Sequence, residues 1–280
     1  MNNILNLIIT LGVLVSIFYS GIDTGVSLGV LFEPKNIKAV QRFLTGLWPI
    51  ETDAAFLLQT FKLLIETVEI SLVSTAIAIV LALPLSIASI RPQGEEFTLK
   101  RLGMSEWTLR WILYYTVRSL LGLLRGIPEL MWALIFVVAV GLGPFPGILA
   151  LAAHSTGILG KLYSEMFEAV DSRLIETVRS SGSSQFQEFI FVRFPMSLSI
   201  FLSYTLFRWE CNLRAATILG FVGAGGIGTQ LIISMKLFMY HEVSTLIIAI
   251  LLLVITLELM GQYVRARILT GNEGSGPRKS

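Results

Sequence analysis

Residues 176–195 read Glu176-Thr-Val-Arg-Ser-Ser-Gly182, then Ser183-Ser-Gln-Phe-Gln-Glu-Phe-Ile-Phe-Val-Arg193, and close on Phe194-Pro195. They sit in a wider polar island: from Ser164 to Arg193 the chain places Glu165, Glu168, Asp171, Arg173, Glu176, Arg179, Glu188 and Arg193 close together. A stretch so charged lies outside a membrane. Its alternating signs at helical spacing, with Glu176 and Arg179 at i,i+3, predict a solvated helix pair. Gly182 is expected to allow close backbone approach at the end of the first helix, and Glu176 to anchor the turn. Pro195 is expected to open the next membrane helix, running through Leu219.

Outside this island the chain is apolar. Of its 280 residues 54% are hydrophobic and only 14% charged, where soluble domains carry about 25% charge. It is a membrane protein with room for five or six spans of ~20 residues and one extramembrane insertion. No separate soluble catalytic domain fits. With 21 basic against 19 acidic residues, neither nucleic acid nor bulk attraction to anionic lipid is implied. The single Cys211 excludes an intrachain disulfide and a multi-cysteine metal site. No Ser/His/Asp set, zinc-ligand spacing or paired-carboxylate site is present, so chemistry on a substrate is not expected.

Moving outward, Ile4–Phe18 is a retained first span, since no basic residue precedes it and no small-x-small cleavage site follows. Residues 21–60 are a polar, glycine-rich connection, too interrupted to cross. Leu63–Ile90 is the second span and ends in a basic loop, 91–110, carrying Arg91, Lys100, Arg101 and Arg110. Residues 105–124 mix Trp107, Trp111, Tyr114 and Tyr115 with arginines, which suits an elbow helix at headgroup level. The third span then runs from Pro128 to Leu142, and Ile148–Tyr163 is the fourth. Val243–Val264 is the last, closed by Arg265, Arg267 and a tail with Arg278-Lys279. Six spans put both termini on one side, and the basic loops place that side in the cytoplasm. Lys35, Lys38, Arg42 and Lys62 fall on the other side, in a long loop where the charge rule is weak.

Several intramembrane groups are candidates for a solute path. Arg208, Glu210, Asn212 and Arg214 stand within the fifth span, where unpaired charge is costly and by default faces a bundle interior or a water-filled route. Glu210 and Arg214 form an i,i+4 pair, which leaves Arg208 for an acidic partner elsewhere or for an anion. His154 in the fourth span is either a hydrogen-bonded packing residue or path-lining. Glu129 is placed to neutralise Arg125 or Arg118. Gly223-Ala-Gly-Gly-Ile-Gly228 satisfies G-x-G-x-x-G, but a membrane helix precedes it where a strand is required, so dinucleotide binding is excluded. Gly223, Gly225, Gly226 and Gly228 instead suit a re-entrant turn that acts as a gate or simply packs tightly.

The 176–195 pattern resembles the EAA loop of bacterial ABC-importer permeases, with Thr177-Val178 where that loop has two alanines and Phe194 where it has leucine. Arg125-Gly-Ile-Pro-Glu-Leu-Met-Trp132, His154 with Gly157 and Gly160, Ser203–Glu210 with Asn212-Leu-Arg214, and Val222–Gly228 are similar to the permease subunit of phosphonate-type ABC importers over about residues 60–268. The resemblance implies an all-α membrane protein of about six transmembrane helices with the type I importer (MetI-like) permease fold. It implies a first helix and outer loop at 1–60, a transmembrane domain at 61–268 with its coupling loop at 164–195, and a cytoplasmic tail at 269–280. Glu176, Arg179, Gly182 and Pro195 would form the coupling helix region that docks an ATPase. The expected partners are a second copy of this chain, two ATP-binding subunits, a periplasmic or lipid-anchored binding protein and membrane lipid, in the bacterial inner membrane. The chain itself would bind no cofactor; ATP and Mg would belong to the ATPase. The solute would be phosphonate, phosphite or a related phosphorus oxyanion, with methionine or phosphate importers as the alternative. A channel or ion-coupled carrier is the third reading, and the coupling loop argues against it.

Overall fold

The computed structural model describes residues 2–25, 28–92 and 104–273, and among them the secondary structure is entirely helical. Lys100, Arg101 and Arg278-Lys279 lie outside the described residues. The chain divides into two units, Met1–Pro49 and Ile50–Ser280.

The first unit holds α1 (Asn2–Asp23), a 3-10 turn (Leu28–Phe32) and α2 (Pro34–Gly46). α1 is long and apolar enough to cross a membrane, and no part of its spanning window is buried by protein. The connection over 21–60, expected not to cross, holds the short helix α2. Pro34 occupies the first helical turn, and Ile37, Val40 and Leu44 recur at helical spacing among Lys38, Gln41 and Arg42. That periodicity specifies a helix too short and too polar to cross.

The second unit begins with α3 (Ala54–Ala88), followed by α4 (Met104–Gly126), α5 (Glu129–Val140) and α6 (Pro144–Glu168). The polar island supplies α7 (Ser172–Ser180), α8 (Gln185–Glu188) and a π-helical turn (Phe189–Arg193). Then come α9 (Phe194–Leu219), a 3-10 turn (Gly220–Val222), α10 (Ile227–Lys236) and α11 (Tyr240–Glu273). α3 starts ahead of the apolar run at Leu63 because the Asp53 carboxylate accepts from the Ala55 and Phe56 amides at 3.1 and 3.3 Å, capping the helix.

One face of α3 carries small and hydroxyl-bearing residues and the other bulky apolar ones. Thr67, Ser71, Ser74, Thr75, Ala78, Ala82 and Ser86 recur at three- and four-residue intervals and are buried, whereas Leu72, Val73, Val80 and Leu81 are exposed. This is the membrane pattern: small residues let backbones approach, and bulky ones face outward. α6 is the central element, packing against α3, α4, α5 and α9. One cluster gathers Ile70, Ala133, Ala150, Leu151, Ala216 and Leu219; a second gathers Ala78, Ala82, Leu159, Tyr163, Met166 and Phe167.

Among the described residues, four helices, or five with a bent pair, are long and apolar enough to cross on their own. α1, α3, α11 and the rod from Gln185 through Val222 are each long and apolar enough to cross, and α4 with α5 passes only as a pair bent by 89°. α5 alone, at 12 residues, rises ~18 Å, short of the ~30 Å hydrocarbon core. The elbow falls at Pro128 as expected, and α4 and α5 meet there at 89°. α6 fails on apolarity, not length. It carries His154, Ser155, Thr156, Lys161, Ser164 and Glu165, and most of those side chains bond within the protein, so it needs no lipid-compatible surface of its own.

Gly157 and Gly160 set how closely α4 approaches α6. A Cβ at Gly157 would lie 2.5 Å from the Arg125 backbone nitrogen, whereas one at Gly160 would meet only the Leu121 side chain. Gly157→Ala is expected to destabilise the protein by about 1–3 kcal/mol and Gly160→Ala by clearly less. Thermal midpoints in detergent check this, and equal midpoints would mean that the α4 backbone yields.

Candidate functional site

The polar island folds into a compact joint. The Asp171 carboxylate accepts from the Arg173 amide at 2.9 Å and starts α7. Gly182 ends that helix with φ +83°, and nothing lies within 4 Å of a Cβ built there. Within this chain it serves the left-handed turn. Ser184 and Gln187 then cap α8 reciprocally.

The joint closes on Glu188, only 3% exposed. Its carboxylate accepts from Arg179 Nε and from Arg193 Nε, each at 2.7 Å, and Arg193 Nη1 donates to the Phe167 carbonyl at 2.7 Å. One buried carboxylate thus ties α7, the π turn and the end of α6 together. Arg179 does not pair with Glu176, and Glu176 does not anchor the turn. Its side chain is exposed and has no partner among the described residues. The buried hub is Glu188 with Arg193, and the sequence signal for it was two charges set among Phe186, Phe189, Ile190, Phe191 and Phe194.

Pro195 stands in the first turn of α9, which runs through Leu219 as expected, and α9 continues the rod that begins at Gln185. Pro195 has no amide hydrogen, and its ring clashes with the preceding turn. The ladder widens just ahead of it, the Phe194 amide reaching back to the Phe189 carbonyl.

A second polar assembly links α3, α6 and α9. Arg208 Nε donates to Ser155 Oγ at 2.9 Å, Ser155 Oγ donates to Asn212 Oδ1 at 2.8 Å, and Asn212 Nδ2 donates to Thr75 Oγ1 at 2.9 Å. Trp209 Nε1 donates to Ser71 Oγ at 3.2 Å. Asn212 is wholly buried and Arg208 half-buried. The Nη groups of Arg208 have no hydrogen-bond partner among the described residues.

The elbow beside this assembly is explained by Pro128. Its missing N–H leaves the Leu124 carbonyl open, and Trp132 Nε1 donates to it at 3.1 Å. His154 Nδ1 lies 2.9 Å from the Ile127 carbonyl and donates to it, while His154 Nε2 faces Glu129 at 3.4 Å. Glu129 thus pairs with neither Arg125 nor Arg118; Arg118 lies 3.7 Å from Glu168.

Arg214 does not belong with Arg208. It is exposed, with a 3.6 Å contact to Cys211 Sγ. Glu210 pairs with Arg265 of α11 at 2.5 Å, not with Arg214. The expected i,i+4 pair is replaced by a bridge between two helices.

The glycine-rich turn is packed. Gly223, Gly225 and Gly226 have φ of +83°, +81° and +74°. The Gly226 amide donates to Glu66 Oε1 at 2.9 Å and the Ile227 amide to Thr67 Oγ1 at 3.0 Å, so α3 caps the N-terminus of α10. Gly143 N donates to the Gly223 carbonyl at 2.9 Å. A Cβ at Gly228 would collide with the Thr217 carbonyl. These glycines are closely packed in this conformation.

The chain is similar to known transport proteins. It is 35% identical over 202 residues to the phosphite transport system permease protein PtxC of Stutzerimonas stutzeri, covering 72% of this chain and 68% of that one. It is 32% identical over 204 residues to the phosphate-import permease protein PhnE of Mycolicibacterium smegmatis, covering 73% of this chain and 36% of that one. A MetNI methionine ABC transporter structure in an inward-facing conformation matches at a TM-score of 0.62, with 18% identity, over 78% of this chain and 99% of that one. That likeness concerns the fold alone. Residues 108–270 match the family described as binding-protein-dependent transport system inner membrane component. The match runs from the first turns of α4 through the Glu188 joint to the last helix, and the chain belongs to that family, as a multi-pass membrane permease.

Proposed function

We propose that this chain is the permease of an ATP-driven importer that carries a small phosphorus oxyanion, namely phosphonate, phosphite or phosphate, into the cytoplasm. The observation that carries the solute class is the 35% identity to a phosphite permease over 72% of the chain. The half-buried Arg208 agrees with it chemically, because guanidinium forks match tetrahedral oxyanions. Similarity to a methionine transporter at 18% identity favours no solute.

In this reading two copies of the chain form the pore, with both termini in the cytoplasm. Two separate ATPase subunits hold ATP and Mg and dock on α7 and α8, and a periplasmic or lipid-anchored binding protein delivers the solute. The chain itself holds no cofactor. Arg179, Gly182, Glu188 and Pro195 shape the docking joint, and Glu176 is free on its surface to meet the ATPase. Motion there reaches α6 through Arg193 and Phe167, and α9 through the π turn. Arg208, His154 and Asn212 form the polar step nearest the solute path. The glycines at 223, 225, 226 and 228 hold α10 against α3. Glu210 and Arg214 belong to the α11 side.

The test is uptake by the transporter assembled from this chain and its partners in proteoliposomes, using radiolabelled phosphite, methylphosphonate, phosphate and methionine. ATP-dependent accumulation of the phosphorus compounds but not methionine is expected. Transport by this chain without any ATPase would sink the reading. Glu176→Lys is expected to lower ATPase retention on the purified permease roughly tenfold without moving its thermal midpoint, since the side chain is exposed. Normal retention and uptake would remove Glu176 from the docking surface.

A further inference from the structure

A cavity of about 280 Å³ opens between the end of α3, α4 and the α8 end of the joint. Arg91, Arg110, Arg179 and Arg193 line it, against the single carboxylate of Glu188. Both Glu188 oxygens are already taken by Arg179 and Arg193. Arg110 Nη2 donates to the neutral Gln185 Oε1 at 2.8 Å, and Glu168 accepts from the backbone amide of Arg91, not from its guanidinium. Neither Arg91 nor Arg110 has a carboxylate partner for its side chain among the described residues.

Guanidinium groups gathered round one void repel each other unless an anion enters. Planar forks pair best with phosphate or carboxylate oxygens. At ~30 Å³ for each water, the cavity has room for a phosphate group with its hydration. Ile87 and Leu113 give the same cavity an apolar wall. We propose that it binds a phosphate group, either free inorganic phosphate or the headgroup of an anionic lipid. The bound oxyanion would share Arg179 with Glu188 and so adjust the joint. The site does not depend on which solute the transporter carries.

The experiment uses the full chain in nanodiscs of phosphatidylcholine alone, with radiolabelled inorganic phosphate in equilibrium dialysis. Saturable binding is expected, weakened at least about tenfold by Arg91→Gln with Arg110→Gln. The thermal midpoint should not change, and Arg91→Lys with Arg110→Lys should bind with intermediate strength. In a second arm, phosphatidylglycerol replaces part of the phosphatidylcholine. Its retention by the wild type but not the Gln pair, with loss of phosphate binding, would identify the headgroup as the occupant. Equal behaviour of wild type and the Gln pair in both arms, or binding in neither, would overturn the site.

Discussion

Glu188→Ala is expected to abolish uptake and to lower the yield of folded protein. The substitution leaves Arg193, 4% exposed, with its Nε facing an empty place, and costs Arg179 its partner as well. Removing one member of a buried ion pair costs about 3–5 kcal/mol, a large fraction of the 5–15 kcal/mol that holds a typical domain together. Arg179→Ala separates stability from coupling, because the Glu188–Arg193 bond and the Arg193 bond to Phe167 survive it. That variant should keep most of its thermal midpoint while losing ATPase-coupled uptake. The measurements are detergent thermal midpoints and ATP-driven accumulation. A Glu188→Ala protein with both at wild-type values would show that the joint transmits nothing.

Arg208→Ala is expected to lower uptake about tenfold or more, as for loss of a charge-assisted contact, with the midpoint unchanged or raised. Removing a half-buried intramembrane charge relieves a cost. The Ser155–Asn212–Thr75 chain persists without it. Arg208→Lys keeps the charge but not the fork and should fall between. The direction of the stability change decides the role: if Arg208 only braced the helices, the midpoint would drop and the uptake of folded protein would hold.

Much of this was legible in the residues. The charges from Ser164 to Arg193 marked the extramembrane joint, Pro128 marked the elbow, and the apolar run after Pro195 marked the body of α9. Partner choice across helices was not legible. The i,i+4 rule paired Glu210 with Arg214, yet the carboxylate reaches Arg265, and nothing in local spacing encodes a partner on another helix. Glu188 was passed over because Arg179 meets it only after Gly182 turns the chain, and Arg193 meets it at a five-residue interval across the π turn rather than at α-helical spacing. That neighbouring helices cover most polar groups of α6 was not legible either, because hydropathy carries no information about contacts between helices.

The π turn ahead of Pro195 has a consequence for phase. A ladder that reaches back five residues holds one residue more than an α-helical turn would, and each residue is worth ~100° about the axis. Glu188 and Arg208 lie on opposite sides of that insertion, on a single rod. The face that grips α7 and the face that lines the polar step of α9 are therefore set to different azimuths, and the offset between them is written into five residues, Phe189–Arg193.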